Sequence, residues 1–314
     1  MNLFKPRAMS RALLPCALMM ALGLGGCGTE SPAAPTGAEA AATAARSGPM
    51  MSAHRGGPVQ LPENTLPAFE SAIALGYEIL EFDMNLTADD QVVLHHDVSV
   101  NPEICQPDPA NPVPYGPFRQ LTLAQAQTFD CGSTPPAHWS RQTPVPGARM
   151  PSLEEFLVAV KDSDTVLFGE TKMPKGEDID SVDPELFVRR ISELVRQHGL
   201  EERFILQSSD YRTIDAMYRV NPRIRTCLLR MGEARPDFVG VAQRHNASCV
   251  VMRLDYGDAA DIAALKEAGI TVYSDVADLE SEWKAYVELG VDAILTNDAV
   301  GLRDFMVREG YRAP

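Results

Sequence analysis

The chain is short of positive charge. Its 314 residues include 28 lysines and arginines against 43 aspartates and glutamates, which gives a formal net charge of −15 at pH 7. Proteins that bind nucleic acid usually present clustered lysine and arginine to the phosphate backbone. The acidic balance therefore argues against nucleic acid as a partner, and nothing in the sequence implies a protein partner.

Long apolar runs are absent beyond the N-terminus. No later stretch approaches the roughly 20 apolar residues of a spanning helix, so no membrane span is predicted in the main domain. The opening stretch MNLFKPRAMSRALLPCALMMALGLGGC differs: three basic residues precede an apolar run from Ala12, which ends in Leu24-Gly25-Gly26-Cys27. The run is short and ends in small residues, which indicates a secretory signal peptide at residues 1–26.

The end of this leader resembles the bacterial lipobox, in which a cysteine is lipidated and becomes the first residue of the mature protein. The resemblance implies lipidation at Cys27, export, and a lipid anchor in the bacterial envelope on the periplasmic face. Gly28, where aspartate could stand, mildly favours the outer membrane. An ordinary secretory cleavage nearby, with Cys27 incidental, is the alternative. Residues 27–49, rich in alanine, serine, proline and glycine, are predicted to form a flexible tether.

Export would permit disulfide bonds. Two of the six cysteines precede residue 28, which leaves four in the domain. Cys105 and Cys131 bracket a region rich in proline and glycine, and a disulfide between them is predicted to close it. Cys227 and Cys249 lie in apolar, strand-like runs, and free buried thiols are predicted at both positions.

Beyond residue 50 the sequence alternates short apolar runs with amphipathic helical segments. This pattern predicts parallel β-α-β units whose strands are buried on both faces. Eight runs fit it: MMSAH, EILEFDM, VLFGETK, FILQSS, TCLLR, CVVMR, ITVYS and DAILTN. Eight strands suit a single TIM (β/α)8 barrel over residues 50–314. A doubly wound open sheet is the competing architecture, but the glycine-rich fingerprint expected after its first strand is missing.

Two segments depart from this repeat. The run QVVLHH, which starts at Gln91, follows the second strand after a tight turn and is predicted to form a hairpin-like excursion. Residues 98–150 are rich in proline and are predicted to form an irregular insertion after the second barrel strand. Between the first two strands, Asn64 is predicted to cap a helix that runs from about residue 65 to 75 and stops at Gly76.

Polar residues gather at the carboxyl ends of the predicted strands, where barrels of this type hold their chemistry. Glu81 and Asp83 are two residues apart on one strand, so both side chains project to the same face, and Glu170 comes late in the next barrel strand. A divalent cation would relieve the repulsion among three converging carboxylates, and oxygen ligands select Ca²⁺ or Mg²⁺. A salt-bridged cluster with Arg55 and Lys172 is the alternative.

The stretch AHRGG…PENTLPAF…LEFDMNLTADDQVVLHHD, between Ala53 and Asp97, resembles the glycerophosphodiester phosphodiesterases. That family's pattern is His-Arg-Gly, Pro-Glu-Asn-Thr, Glu-x-Asp, Thr-x-Asp and a closing His-Asp, and every motif is present in order. The likeness continues in MPSLEEFL, ETK and ILQSSD. It implies a TIM barrel that uses one divalent cation, Ca²⁺ or Mg²⁺, to hydrolyse a small-molecule glycerophosphodiester to glycerol 3-phosphate and an alcohol.

The resemblance also implies roles for the residues that match its motifs. These are His54 and His96 as catalytic acid and base, Glu81, Asp83 and Glu170 as metal ligands, Arg55 and Lys172 as phosphate-binding residues, and Glu63 and Asp97 as supporting residues. Two histidines suit this chemistry, because imidazoles exchange protons near neutral pH. The sequence does not say which histidine is the acid. Because strand neighbours face opposite ways, His95 is predicted to pack or face solvent.

Departures from the family pattern bear on the substrate more than on the chemistry. Thr171 replaces an apolar residue and is predicted to face away from the mouth, while the late motifs VYSDV and ILTND differ where the family shapes its alcohol pocket. Two alternative functions remain. A phospholipase D-like enzyme for lysolipids would need an apolar rim at the mouth, whereas a non-catalytic ligand-binding lipoprotein would be expected to lack a catalytic histidine or a metal carboxylate.

Overall fold

The computed structural model describes residues 48–229 and 236–313. The predicted signal peptide, Cys27, and the predicted tether up to residue 47 lie outside these ranges. Within them, no helix combines the length and the apolar character needed to cross a bilayer.

The nine strands of the described ranges form one sheet that closes on itself. β1 pairs in parallel with β9 on one side and β2 on the other, so the eight parallel strands form a barrel. β3 is antiparallel to β2, and it is the predicted hairpin-like excursion. The strands are β1 Met50–Ala53, β2 Ile79–Leu86, β3 Val92–Leu94, β4 Val166–Thr171, β5 Phe204–Ser208, β6 Arg225–Leu228, β7 Cys249–Met252, β8 Thr271–Val276 and β9 Ala293–Thr296. The predicted TIM barrel is confirmed, and each of the eight predicted runs overlaps one of its strands.

Helices alternate with the barrel strands along the described chain. They are α1 Leu66–Ala74, α2 Leu123–Ala126, α3 Leu153–Val160, α4 Pro184–Gln197, α5 Tyr211–Val220, α6 Phe238–Arg244, α7 Ala259–Glu267, α8 Glu280–Leu289 and α9 Ala299–Arg308. Several begin at side-chain caps. Before α3, the Ser152 hydroxyl accepts the backbone N–H of Glu155, and the Glu155 carboxylate accepts the backbone N–H of Ser152. This reciprocal pair satisfies donors that a helix start leaves free.

Alternation along each strand separates the barrel interior from the helical layer. In β2, Phe82 points outward and packs on Phe69 and Phe156, with ring centroids 6.3 and 4.4 Å away. Ile79 points inward and belongs to the apolar floor of the barrel, together with Phe168. Because side chains alternate with period two, the next inward positions above this floor are polar, and they include Glu81. The floor therefore supports a polar mouth.

The predicted cap at Asn64 is wrong. Helix α1 begins at Leu66 with Thr65 at its N-cap, and no side chain caps it. Asn64 is buried in a left-handed conformation with φ 54°, and its amide hydrogen-bonds Asp83 instead. A buried carboxylate is a stronger partner for an amide than a helix N–H that water can reach. The predicted stop at Gly76, where φ is +81°, is confirmed.

Residues 98–150 pack around a small hydrophobic cluster that includes Phe118 and Phe129 and is completed by Val93 of β3. Backbone bridges join Ser99 to Pro117 and Gln106 to Asp130. The segment is fastened to the barrel elsewhere: the amide of Gln142 donates to the carbonyl of Pro58 at 2.7 Å. The segment has little regular secondary structure, as its sequence predicts, and the hydrogen bond to Pro58 joins it to the first βα loop.

Two disulfides are present within the described ranges. Cys105–Cys131 is the predicted pair and is confirmed. The prediction of free thiols at Cys227 and Cys249 is wrong, because these residues are bonded with Cα atoms 4.5 Å apart. Strands β6 and β7 pair in a register that sets the two residues opposite each other. Register depends on which strands become neighbours, so the spacing of the cysteines could not reveal it.

We expect peptide mapping without reduction to recover both cross-linked pairs from the purified protein. Each closes a loop of about two dozen residues, with sequence separations of 26 and 22. Cross-linking a loop of this size is worth about 3–4 kcal/mol in the chain-entropy model. The Cys105→Ser/Cys131→Ser double variant should therefore unfold at lower urea concentration. Recovery of Cys227 and Cys249 as alkylated free thiols would contradict the second bond.

Candidate active site

Three carboxylates meet at the carboxyl ends of two neighbouring strands. Glu81 and Asp83 come from β2 and Glu170 from β4, and the register pairs Asp83 directly with Glu170. Each side chain offers one oxygen, and these oxygens all lie within 4.8 Å of one another. Glu81 and Asp83 are 1% and 0% exposed, whereas Glu170 is half-buried. The period-two prediction for these acids is confirmed.

Asp83 is surrounded by cations and amide donors. The Lys172 ammonium lies 2.9 Å from Oδ1, and the Arg55 guanidinium Nε lies 3.3 Å from Oδ2. The Asn64 amide nitrogen donates to Oδ2 at 2.8 Å, and the Asp83 backbone N–H donates back to the Asn64 oxygen at 3.1 Å. Burial opposes ionisation, but Lys172 and Arg55 hold the pKa of Asp83 well below its ordinary value. Asp83 is therefore an anion in this site.

Glu81 has hydrogen-bond donors without a close cation. The backbone N–H of Arg55 donates to Oε2 at 2.9 Å and the Gln207 amide donates to Oε1 at 2.8 Å. Burial, and then the negative charges of Asp83 and Glu170, raise the pKa of Glu81 well above its ordinary value. This carboxylate would be stabilised as an anion by one more positive charge beside it.

This arrangement fits a hard divalent cation. The donor set is all oxygen, its atoms are close enough to share one ion, and two of the three side chains are buried. Lys172 also bridges part of the cluster, with Nζ 2.7 Å from Glu170 and 2.9 Å from Asp83. Arg55 and Lys172 supply two positive charges to three carboxylates, so a cationic deficit remains at Glu81.

The His-Arg-Gly turn that follows β1 delivers Arg55 to this cluster. Arg55, Gly56 and Gly57 all have positive φ, at 51°, 83° and 95°. A side chain on Gly56 would also bring its Cβ within 2.8 Å of the Ala68 Cβ. Such a backbone is strained for a non-glycine residue and is retained where the surroundings enforce it. Here it aims the Arg55 N–H at Glu81, while Nη1 of Arg55 donates to Glu63 at 3.0 Å. Glu63 thus holds the guanidinium in place.

His54 directly follows β1 and lies in the site. Its Nδ1 is 2.6 Å from the Asn297 side-chain oxygen, and its Nε2 is 3.9 Å from Glu81 Oε2. Burial, and then the positive charge of Arg55, lowers the pKa of His54 to about 3. The imidazole is therefore neutral at ordinary pH.

His96 has a more open environment. Its side chain is 36% exposed, and its Nδ1 lies 3.0 Å from Asp97 Oδ1. Asn101 donates to the other Asp97 oxygen at 2.8 Å, and the hydrogen bond from His96 lowers the pKa of Asp97 to about 2. The Nδ1 of His96 therefore faces an ionised carboxylate.

His95 has the packing role that the strand alternation predicts. It is 2% exposed, its ring lies edge-on to Phe118, and its Nε2 accepts the Asn101 backbone N–H at 3.2 Å. Thr171 also faces away from the mouth, toward Ser208 and Thr213 in the outer layer. Both orientations agree with the predictions.

A cavity of about 520 Å³ joins these groups. His54, Arg55, Glu81, His96, Glu170 and Lys172 all line it. Much of the remaining lining is apolar and comes from the half of the barrel that contains β6 to β9: Leu229, Phe238, Val251, Met252, Val276 and Leu295. The polar part suits a phosphate group and the apolar part suits a larger substituent.

Four residues of the site were not predicted to act there: Asn64, Gln207, Asp278 and Asn297. Gln207 is in the FILQSS strand and Asn297 directly follows the last strand, so both stand where barrel chemistry concentrates. Asp278 accepts two hydrogen bonds from Asn297, each at 2.7 Å. Their position at a strand end was the one sequence signal that could have marked them as site residues. The signal was weak because an amide side chain carries no charge.

Comparison with known proteins gives consistent matches. The model of the glycerophosphoryl diester phosphodiesterase family matches residues 54–300. A glycerophosphodiester phosphodiesterase of Caldanaerobacter subterraneus is 24% identical over 269 residues, which cover 82% of this chain and 97% of the relative. The human protein named lysophospholipase D GDPD1 is 24% identical over 290 residues, which cover 81% of this chain and 84% of the relative.

Solved structures share the fold. A protein of Silicibacter pomeroyi, named provisionally as a glycerophosphoryl diester phosphodiesterase, superposes with a TM-score of 0.76 at 20% identity, covering 84% of this chain and 95% of that one. An Oleispira antarctica phosphodiesterase, solved with the product sn-glycerol-3-phosphate, gives 0.68 at 20% identity, covering 82% and 97%. Because the family model spans most of the sequence and the barrel agrees, the chain belongs to the glycerophosphoryl diester phosphodiesterase family.

Proposed function

We propose that the protein hydrolyses glycerophosphodiesters to sn-glycerol 3-phosphate and an alcohol. The observation that carries the proposal is one cavity lined by two histidines, two cations and two of three clustered carboxylates. Each histidine has its Nδ1 beside a side-chain oxygen. The named relatives and the glycerol-3-phosphate in the Oleispira structure support the same substrate class.

The metal is proposed to be Ca²⁺ or Mg²⁺, held by Glu81, Asp83 and Glu170. Such an ion would offset negative charge on the phosphoryl oxygens. Arg55 and Lys172 keep unused N–H groups after their contacts with the carboxylates, since a guanidinium has five and an ammonium three. These remaining donors are proposed to bind and orient the phosphate.

His54 is proposed to be the base and His96 the acid. His54 is neutral, because burial and Arg55 lower its pKa to about 3, so it can accept the proton of the attacking hydroxyl. That hydroxyl belongs to water, or to the carbon of glycerol next to the phosphate ester. In the second case the departing alcohol leaves a cyclic phosphate, and water then adds to phosphorus and breaks one ring P–O bond to give glycerol 3-phosphate. His96 lies beside ionised Asp97 and donates a proton to the departing alkoxide as its P–O bond breaks.

A lysophospholipase D activity is the second candidate. The human relative has that name, and apolar side chains line much of the cavity. The polar machinery would be shared, and only the group beyond the phosphate would differ. Substrate preference therefore separates the two candidates.

A substrate panel tests both proposals. Purified protein is incubated with glycerophosphocholine, glycerophosphoethanolamine, glycerophosphoglycerol and lysophosphatidylcholine, each with added Ca²⁺ or Mg²⁺. We expect release of sn-glycerol 3-phosphate from the water-soluble diesters, with kcat/KM at least tenfold above that for the lysolipid. The reverse preference would favour the lysolipid activity. Absence of turnover on every substrate with either ion would contradict the proposed function.

The localisation is proposed to be the periplasmic face of the bacterial envelope, with Cys27 as the lipid anchor. The lipobox-like sequence supports this proposal, and so do two disulfides, which persist in oxidising compartments. We expect Cys27→Ser to move the protein from the membrane fraction to the soluble fraction. The Cys105→Ser variant is the matched control and should remain in the membrane fraction. Retention of the Cys27→Ser protein in membranes would contradict a lipid anchor at this residue.

A further inference from the structure

A hydrogen-bonded chain runs from Asp278 through Asn297 to His54. Asn297 is 8% exposed, and its backbone N–H and side-chain nitrogen each donate to a different oxygen of Asp278 at 2.7 Å. Thr296 Oγ1 also donates to Asp278, at 3.1 Å. On the other side, the Asn297 side-chain oxygen is 2.6 Å from His54 Nδ1. The asparagine therefore lies between a carboxylate and an imidazole.

Asp278 determines which end of the amide faces the histidine. An ionised carboxylate only accepts hydrogen bonds, so the Asn297 amide must turn its nitrogen toward Asp278. The opposite orientation would place an amide oxygen 2.7 Å from a carboxylate oxygen and lose a charge-assisted bond. The amide oxygen thus faces His54.

An amide oxygen has no proton to donate. The short contact to His54 is a hydrogen bond only if Nδ1 carries the proton, and a neutral imidazole then has its lone pair on Nε2. Nε2 lies 3.9 Å from Glu81 Oε2, beyond hydrogen-bond distance, and His54 lines the cavity. The geometry leaves Nε2 available to a reacting hydroxyl.

We propose that Asn297 is a positioning residue that holds His54 in the Nδ1–H tautomer, and that Asp278 fixes the orientation of the Asn297 amide. The link to catalysis rests on the proposed function, in which His54 is the base. The tautomer itself does not depend on activity. This separation allows the two ideas to fail independently.

A purely structural role for Asn297 is the competing explanation. Thr296 and Asp298 also organise the end of β9, since Asp298 donates its backbone N–H to Thr296 Oγ1 and caps α9. Loss of activity alone could therefore reflect a loosened strand end. A decisive test therefore has to measure which ring nitrogen of His54 carries the proton.

The first experiment is ¹⁵N NMR of the full protein labelled at its histidines. The chain has six histidines, and the spectrum of His54→Gln identifies the His54 signals by their disappearance. We expect a protonated Nδ1 and an unprotonated Nε2 in the parent protein. Observation of a protonated Nε2 with a bare Nδ1 would overturn the proposal without reference to any substrate.

The second experiment removes the acceptor. Asn297→Leu should let His54 sample the Nε2–H tautomer and should lower kcat on the order of 10²-fold with little change in KM, since the wrong nitrogen would carry the proton. The matched control is Asn221→Leu, which removes another buried asparagine. Asn221 bonds Ser192 and Glu201 and precedes β6, at the amino ends of the barrel strands and opposite the mouth that holds His54. The control should leave the tautomer and kcat unchanged.

A paired exchange keeps the test valid if Asn297→Leu fails to fold. Asn297→Asp alone retains an acceptor for His54 but sets two carboxylates together, whereas Asn297→Asp with Asp278→Asn restores one donor and one acceptor. We expect the double variant to have the parent tautomer of His54 and a kcat at least tenfold above that of Asn297→Asp. A parent-like tautomer and kcat in Asn297→Leu, or no recovery in the folded pair, would overturn the proposal.

Discussion

Chelation is expected to abolish hydrolysis of glycerophosphodiesters, and Ca²⁺ or Mg²⁺ to restore it. The physical reason is the charge balance at the carboxyl ends of β2 and β4. Three carboxylates face two cations, and Glu81, whose pKa is raised by burial and by its acidic neighbours, lacks a close positive partner. A divalent ion would supply that charge and would join side chains that otherwise repel one another.

Glu170→Gln gives the cleanest variant for this prediction. Glu170 is less buried than Glu81 or Asp83 and has Lys172 as its ion-pair partner in the described structure, so its removal should disturb the fold least. Removing one charged ligand should weaken metal affinity on the order of 10²-fold, as measured by calorimetric titration. The exposed helix residue Glu70 provides the control Glu70→Gln, which should bind metal normally.

Thermal unfolding separates a metal site from a salt-bridged cluster. An ion that binds the folded state raises Tm, by the equivalent of about 2.7 kcal/mol at 100 times its Kd. The parent protein should therefore melt higher with Ca²⁺ or Mg²⁺, and Glu170→Gln should lose most of that shift. Full activity after exhaustive chelation, together with no change in Tm on adding Ca²⁺ or Mg²⁺, would contradict a metal site. Arg55 and Lys172 would then be the only cations needed to balance the three carboxylates.

The parts of the site that the sequence predicts are those with a strong local signal. Glu81 and Asp83 stand out because acids two apart in an apolar strand must share one face of it. The opposite faces of His95 and His96 follow from the same period, and the structure shows one packed on Phe118 and the other in the cavity. The eight barrel strands are predicted equally well, because short apolar runs alternate with amphipathic helical segments along the sequence.

The parts that escaped prediction depend on long-range register. Cys227 and Cys249 look like ordinary core residues until β6 and β7 pair and set them opposite each other. Asn297 lies 243 residues beyond His54, and the barrel brings them together only when β9 pairs with β1. No periodic pattern along the chain encodes such a contact.

Asn64 shows how a local signal can mislead. Asparagine before a helix is a common cap, and the sequence alone offers no competing partner. In the folded chain the Asp83 carboxylate lies beside it, buried and ionised, and Asn64 both donates to it and accepts from its backbone. The same residue type serves either purpose, and burial of the neighbouring charge determines which one prevails.

The largest effects on turnover are expected from the two cavity histidines. Replacing His54 or His96 by alanine should lower kcat by about 10²–10⁴-fold, the usual range for general acid–base groups, while metal affinity remains close to that of the parent. His95→Ala is the neighbouring control: its ring packs on Phe118, so stability should fall but the folded fraction should turn over normally. Inactivation by His95→Ala instead of His96→Ala would contradict the orientation of this strand end.

The pH dependence should distinguish the roles. A base acts only when unprotonated, and because burial and Arg55 lower the pKa of His54 to about 3, His54 stays competent throughout the range from pH 5 to 8. A general acid works only while protonated, so kcat of the parent should fall at high pH, where the acid has lost its proton. This descending limb should vanish in His96→Ala. If the descending limb survives in His96→Ala but vanishes in His54→Ala, then His54 is the acid and His96 the base.

A substrate with a better leaving group makes the assignment independent of pH. The p-nitrophenyl ester of sn-glycerol 3-phosphate releases a phenolate that departs without a proton, so it needs no general acid. Activity of His96→Ala on this ester should therefore approach that of the parent, within about tenfold, whereas His54→Ala should remain impaired because the attacking hydroxyl still has to lose its proton. Because both variants keep Glu81, Asp83 and Glu170, equal metal affinity is the check that each one differs from the parent only in proton transfer. Selective rescue of His54→Ala would show that His54 protonates the leaving group, and that the open, Asp97-paired His96 is the base.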